Sequence, residues 1–311
     1  MPDASHEGSS VARANGIDLC YQTFGDASKP ALLLVMGLGT QMLGWDEGFC
    51  RELALRGYFV IRFDNRDIGR STWFDHEPVP NLMALMAKRG VGIKPKVPYT
   101  LKDMAADSVG LLETLGIARA HVVGASMGGM IGQEITIDHP ERMLSFTSIM
   151  STTGNSKLPS ARPEVASLLV APPVKDQAAF IPAYQNLMKV LRAGEFPEDE
   201  ARDAERAAVA WARGYHPAGS ARQLAAIIAS GNRTKALAKV KVPTLVIHGR
   251  ADPLVPVEGG IATAEAISGA KLRIIERMGH ALPMSMWGEM VDAIAEHAAA
   301  VESSAHEPPS R

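Results

Sequence analysis

A chain of 311 residues, 46% hydrophobic and 21% charged, is long and apolar enough to bury a sizeable core, which excludes a disordered or fibrous polymer. The formal net charge of −2 gives no general attraction to nucleic acid or anionic lipid, so neither is expected as a partner. Two cysteines, Cys20 and Cys50, suggest neither a metal cluster nor a disulfide framework and read as buried thiols; no metal is expected.

In chain order, Met1–Ser10 is polar and reads as a frayed tail. It lacks the basic-then-apolar pattern of a secretory signal, and no apolar run approaches the roughly 18 residues of a membrane span, so a soluble cytoplasmic protein is expected. Short β-rich runs then alternate with helical stretches. The strand candidates are Ala31–Met36, Tyr58–Phe63, His121–Val123, Leu144–Met150, Val242–His248 and Lys271–Ile275, the pattern of a parallel sheet covered on both faces.

The Met-rich stretch Asn81–Met86 and the Gly- and Pro-rich Arg89–Tyr99 read equally as part of a lid or as an ordinary excursion from strand to helix. Leu101–Leu115 carries Leu101, Met104, Ala105, Val109, Leu112 and Leu115 at helical spacing, with Thr100 as N-cap. A second amphipathic helix follows Ser126 and ends near Asp138, because Pro140 disfavours helix in His139. Between Met150 and Lys241 the strand signal vanishes, and an Ala-, Arg- and Glu-rich block reads as several helices forming a lid. The predicted division is an α/β core over residues 11–150 and 234–302, a helical cap over 151–233, and flexible tails at 1–10 and 303–311.

Within His121-Val-Val-Gly-Ala-Ser126-Met-Gly-Gly129, a serine stands between an apolar strand and a helix with a glycine two residues to either side. A sharp strand-to-helix turn strains the serine and brings the flanking chain close, so Gly124 and Gly128 are needed where a Cβ would clash. The turn lifts the hydroxyl clear of the sheet and aims the first N–H groups of the helix at a substrate. Ser126 is therefore the candidate nucleophile.

Serine is a weak nucleophile at neutral pH; an imidazole must take its proton, and a carboxylate must fix the imidazole tautomer. Of nine histidines, His280 alone follows a strand and a glycine, on a loop leaving the carboxyl edge of the sheet. Its rival His248 lies within a strand and is expected to face the interior. Asp252, four residues beyond another strand and stiffened by Pro253, is the candidate acid; Ser151-Thr-Thr-Gly-Asn155 after the preceding strand contains none. The developing oxyanion needs two backbone N–H donors, assigned to Met127, after the nucleophile, and Leu38, in the glycine-rich loop after Ala31–Met36. Met36, Leu38, Met42, Trp45, Met127 and Met284 are candidate apolar walls of the pocket.

The order Ser126, Asp252, His280 is that of the α/β-hydrolase arrangement. From about Ile17 to Ala299 the chain resembles an α/β-hydrolase-fold enzyme, at Met36-Gly37, at Asp64–Ser71, at the Ser126 turn, at Asp252 and at His280. Leu32–Gly37, Asp64–Ser71 and Gly279–Pro283 particularly resemble the aclacinomycin methylesterase-like bacterial branch. That resemblance implies a cofactor-free serine esterase with a mostly parallel twisted sheet, flanking helices, a helical cap between late strands and a small-molecule ester as substrate. Many family members have His-Gly where this chain has Met36-Gly37, so the side chain here supplies packing only. Asp64–Ser71 is read as a turn that braces the loops near the nucleophile. Lactonase, perhydrolase and C–C bond hydrolase chemistry would keep the same three residues, and a ligand-binding receptor on the same fold is the rival of another class.

Overall fold

The computed structural model describes residues 8–193 and 200–306, with side chains through Ser304. The predicted tails thus fall partly outside the described residues, at Met1–Glu7 and Glu307–Arg311. Inside them, Ser10 already opens the first strand and the last helix runs through His306.

Eight strands form one sheet: β1 (Ser10–Ala14), β2 (Ile17–Phe24), β3 (Ala31–Val35), β4 (Phe59–Phe63), β5 (Ala120–Ala125), β6 (Met143–Ile149), β7 (Thr244–Gly249) and β8 (Lys271–Ile275). Their order across the sheet is β1-β2-β4-β3-β5-β6-β7-β8. All pairings are parallel except β1 with β2 and β2 with β4. The six predicted strands match β3–β8 to within a few residues. The β1–β2 hairpin was not anticipated. It closes through Asn15-Gly16, both at positive φ, with Ala14 opposite Ile17, as a two-residue hairpin requires.

The helices are α1 (Glu47–Leu55), α2 (Leu82–Gly90), α3 (Leu101–Thr114), α4 (Met127–Asp138), α5 (Pro163–Leu169), α6 (Gln177–Leu191), α7 (Glu200–Gly214), α8 (Pro217–Ser230), α9 (Thr234–Leu237), α10 (Glu258–Ala266) and α11 (Trp287–His306). Apolar residues on one face of the sheet pack against α3 and α4, through Met104, Leu111, Ile131 and Ile135. The opposite face packs against α1 and α11, through Phe49, Leu53, Met290 and Ile294. Both faces being covered, β3 and β5–β7 are apolar or small and buried along almost their whole length. The start of α3 is fixed as predicted at Thr100, whose N–H donates to Asp103 Oδ2 at 2.7 Å. No helix among the described residues is long and apolar enough to cross a membrane.

Among the described residues, five helices, α5–α9, separate β6 from β7. Buried ion pairs join this block to the Asp64–Ser71 turn after β4: Arg213 meets Asp64 at 2.6 Å, and Arg222 meets both oxygens of Asp67 at 2.8 Å. Asp64 also accepts from the Met42 N–H at 2.7 Å and the Arg70 N–H at 3.0 Å. This turn is therefore a buried brace, in keeping with the reading of its sequence. The Met-rich α2 packs on α8, and no residue of Asn81–Tyr99 lines the cavity described below.

Candidate active site

Ser126 caps α4 at the carboxyl end of β5 with φ 55° and ψ −118°, in the left-handed region that a Cβ-bearing residue occupies only under constraint. The constraint comes from both sides. The Ser126 N–H donates to Ile149 O at 2.9 Å, and its carbonyl accepts from Gly129 N at 2.9 Å and Ser151 Oγ at 2.8 Å. A Cβ on Gly124 would lie 2.2 Å from Gly128 O, and one on Gly128 would lie 2.0 Å from Val35 O. Both obstacles are backbone, so the two glycines are sterically obligatory, as the sequence pattern suggested.

His280 sits on the loop after β8, where its N–H donates to the Leu191 carbonyl at 2.8 Å. Its Nε2 lies 2.9 Å from Ser126 Oγ and its Nδ1 lies 2.7 Å from Asp252 Oδ2. The other oxygen of Asp252 accepts from the N–H groups of Leu254 and Val255 at 2.9 and 2.8 Å, which locks the carboxylate plane. The three residues, 126, 252 and 280, thus form one unbroken hydrogen-bonded line. Burial of Asp252 favours its neutral form, but electrostatic attraction to the adjacent His280 imidazole and hydrogen bonds from His248 and His280 outweigh it and hold the carboxyl well below the usual carboxylate range. His248 is buried, as expected, with Nε2 2.8 Å from the Val255 carbonyl and 3.5 Å from Asp252 Oδ2.

The Gly37-Leu38-Gly39 loop after β3 faces this line; a Cβ on Gly37 would stand 3.1 Å from Ser126 Cβ. Met127 is the first residue of α4, so its N–H has no intrahelical acceptor and shares in the positive end of the helix dipole. Asn65 donates to the Met36 carbonyl at 2.9 Å, and the side chain of Gln223 on α8 accepts from the Gly39 N–H at 2.9 Å. Neither residue was anticipated. Asn65 had a local signal, lying in the turn already read as a brace; Gln223 had none.

A cavity of about 680 Å³ opens over Ser126 and His280. Of the candidate wall residues, Met36, Leu38 and Met284 line it. Met42 and Trp45 do not: both are fully buried, Met42 held by the Asp64 carboxylate at its N–H and Trp45 stacked on Phe49 within the core. The side chain of Met127 likewise packs into the core beneath α4. Part of the remaining apolar wall comes from α6 and α8, through Leu187, Met188, Leu224 and Ile227, and part from the core and its loops, through Met130, Met150, Leu254 and Leu282. Among the described residues, no three His, Cys, Asp or Glu side chains converge as a metal site would need.

The α/β hydrolase fold family model matches residues 30–285. Rhodomycin D methylesterase of Streptomyces sp. (strain C5) is 28% identical over 303 residues, covering 90% of this chain and 95% of that protein. A 3-oxoadipate enol-lactonase of Acinetobacter baylyi is also 28% identical, over 85% of this chain and 86% of its own length. Among solved structures, a meta-cleavage product hydrolase from Pseudomonas fluorescens IP01 superimposes with a TM-score of 0.72 at 18% identity, over 93% of this chain and 96% of that one, a likeness of fold. Sheet order, the turn at Ser126 and the match from residue 30 to residue 285 agree: the chain belongs to the α/β hydrolase fold family.

Proposed function

We propose that this protein is a serine hydrolase of carboxylic esters, working through an acyl-enzyme on Ser126. The observation that carries the reading is the line Ser126 Oγ, His280, Asp252, with links of 2.9 and 2.7 Å, at the wall of a cavity of about 680 Å³. His280 Nε2 takes the hydroxyl proton as Oγ attacks the ester carbonyl. Asp252 keeps the other ring proton on Nδ1 and stabilises the imidazolium. The oxyanion lies between the N–H groups of Leu38 and Met127, each contributing about 3 kcal/mol to the transition state. His280 then gives its proton to the departing alcohol, and a water deprotonated by His280 releases the acid. Serine, imidazole, ester and water account for every proton and electron pair, so the mechanism calls for no cofactor.

In this reading, residues 151–233 form a cap that closes over the site. The apolar wall supplied by α6 and α8 suits a substrate with a sizeable hydrophobic portion. The names of relatives, methylesterase and enol-lactonase, support an ester or lactone carbonyl as the point of attack. A fluorophosphonate probe tests the reading: stoichiometric labelling of Ser126, abolished in Ser126→Ala together with hydrolysis of short p-nitrophenyl esters, is the expected result. A folded protein that does not label would refute it, and would favour a receptor that binds without turnover.

A further inference from the structure

We propose that Gln223 is a positioning residue for the oxyanion loop, so that the hole is completed by the cap and not by the core alone. The inference rests on the reading above, in which the Leu38 N–H is one of the two oxyanion donors.

The loop from Met36 to Thr40 has little to hold it from within. Its own turn closes through Thr40 N to Gly37 O at 3.4 Å, a long and therefore weak bond, the Thr40 hydroxyl adds a local bond to the Leu38 carbonyl at 3.1 Å that anchors nothing outside the loop, and the Met36 side chain has no hydrogen-bonding group. Two outside residues grip it instead. At one end Asn65 donates to the Met36 carbonyl at 2.9 Å. At the other, Gln223 Oε1 accepts from the Gly39 N–H at 2.9 Å while its Nε2 donates to the Arg66 carbonyl at 2.7 Å. The Leu38 N–H lies between the two grips.

Gln223 is fully buried, so its amide has no water to fall back on. A single side chain must accept from one backbone group and donate to another in the same place, which a primary amide does and an apolar residue of the same length does not. The approach of α8 leaves no slack, since a Cβ on Gly39, at φ +63°, would stand 3.0 Å from Ser220 Oγ. The helix is itself tied down next door by Arg222 on Asp67. A displaced α8 withdraws the acceptor from Gly39, and the Gly39 end of the loop is then left to its own local bonds while Asn65 holds only the Met36 end.

The test compares Gln223→Met with Ser230→Ala. Ser230 lies on the same helix and accepts from the Leu101 N–H at 3.1 Å, away from the loop. The wild-type protein is first labelled at Ser126 with a fluorophosphonate; absence of labelling overturns the hydrolase reading and this inference with it. Given labelling, Gln223→Met is expected to lower kcat about ten- to a hundred-fold, the scale of a misplaced rather than deleted donor, with KM within about threefold. A boronic acid, whose tetrahedral adduct carries an oxygen in the hole, should lose affinity by the same factor. Ser230→Ala should leave kcat and boronate affinity within about twofold of wild type. If Gln223→Met does not fold, Gln223→Asn, polar but one methylene too short to span both partners, is read the same way. A folded Gln223 variant with kcat and boronate affinity within about threefold of wild type overturns this inference alone, as does a loss that Ser230→Ala reproduces.

Discussion

Replacing Asp252 by asparagine separates the chemistry of this carboxylate from its place in the fold. One oxygen accepts from Leu254 and Val255 N–H at 2.9 and 2.8 Å, and the amide oxygen of an asparagine can keep both bonds. The amide nitrogen then takes the place of Oδ2, 2.7 Å from His280 Nδ1. Two donors cannot face each other at that distance, so the ring proton moves to Nε2, which points at Ser126 Oγ 2.9 Å away. A protonated Nε2 cannot accept the serine proton. The expected loss in kcat is on the order of 10⁴-fold, about 5.5 kcal/mol, while the melting temperature stays within a few degrees. Asp252→Ala supplies the contrast: it strands the same two N–H groups without an acceptor, at about 1–3 kcal/mol each, and should lower the melting temperature as well as kcat. Initial rates on a p-nitrophenyl ester and a thermal melt of each variant make the comparison. Asp252→Asn within about tenfold of wild-type kcat would refute the argument and require a different acid.

Gly128→Ala drives a Cβ to 2.0 Å from the Val35 carbonyl oxygen; neither side can yield without moving β3, so the variant should lose soluble folded yield, and a melt within a few degrees of wild type would contradict the steric account. Trp45→Ala should cost about 3–5 kcal/mol in urea unfolding with an unchanged ester preference, because Trp45 packs on Phe49 away from the cavity. Leu187→Ala should do the reverse, shifting the preferred ester size in a substrate panel at little cost in stability. Burial alone would raise the Asp67 carboxyl, but Arg222, the Phe74 N–H and the Tyr99 hydroxyl hold it low. An acid with a depressed folded pKa contributes stability above its unfolded value of about 3.9 and loses it as pH falls through the folded value. Asp67→Asn should therefore melt earlier than wild type at pH 7, and the gap should close in strong acid; a gap that is constant with pH would rule this out.

How much of this was legible in the sequence depends on how local each constraint is. The turn at Ser126 could be read because Gly124 and Gly128 answer to clashes set within a few residues or by the adjacent strand. Asp252 and His280 could be read because each follows a recognisable strand and leaves the same edge of the sheet. The β1–β2 hairpin was overlooked because Arg13, Asp18, Gln22 and Thr23 interrupt its apolar pattern; the Asn15-Gly16 pair was the available signal. Met42 and Trp45 were misplaced because they follow the Gly37–Gly39 loop in the chain. The Asp64 carboxylate, 22 residues on, grips the Met42 N–H, and both side chains are buried in the core. Gln223 was invisible for a stronger reason, since Gly39 lies 184 residues away and nothing near Gln223 hints at it.

The long-range ties also explain how one insertion can serve two ends. Buried pairs such as Arg213 with Asp64 and Arg222 with Asp67 contribute little net stability over well-packed apolar residues, because desolvation offsets most of the attraction. What they do supply is position: Arg222, bonded to both oxygens of Asp67, fixes the register of α8 against the Asp64–Ser71 turn, and Arg213, bonded to Asp64 Oδ2 and Gln41 Oε1, ties α7 to the same support. That same turn carries Asn65 and the Arg66 carbonyl, so the grip on α8 and the grip on the Gly37–Gly39 loop share one rigid support. The apolar walls Leu187 and Met188 stand on α6, a different helix from Gln223. Substitutions there can reshape the cavity without touching the bonds to Gly39, which leaves the choice of substrate free to change while the geometry over Ser126 is kept.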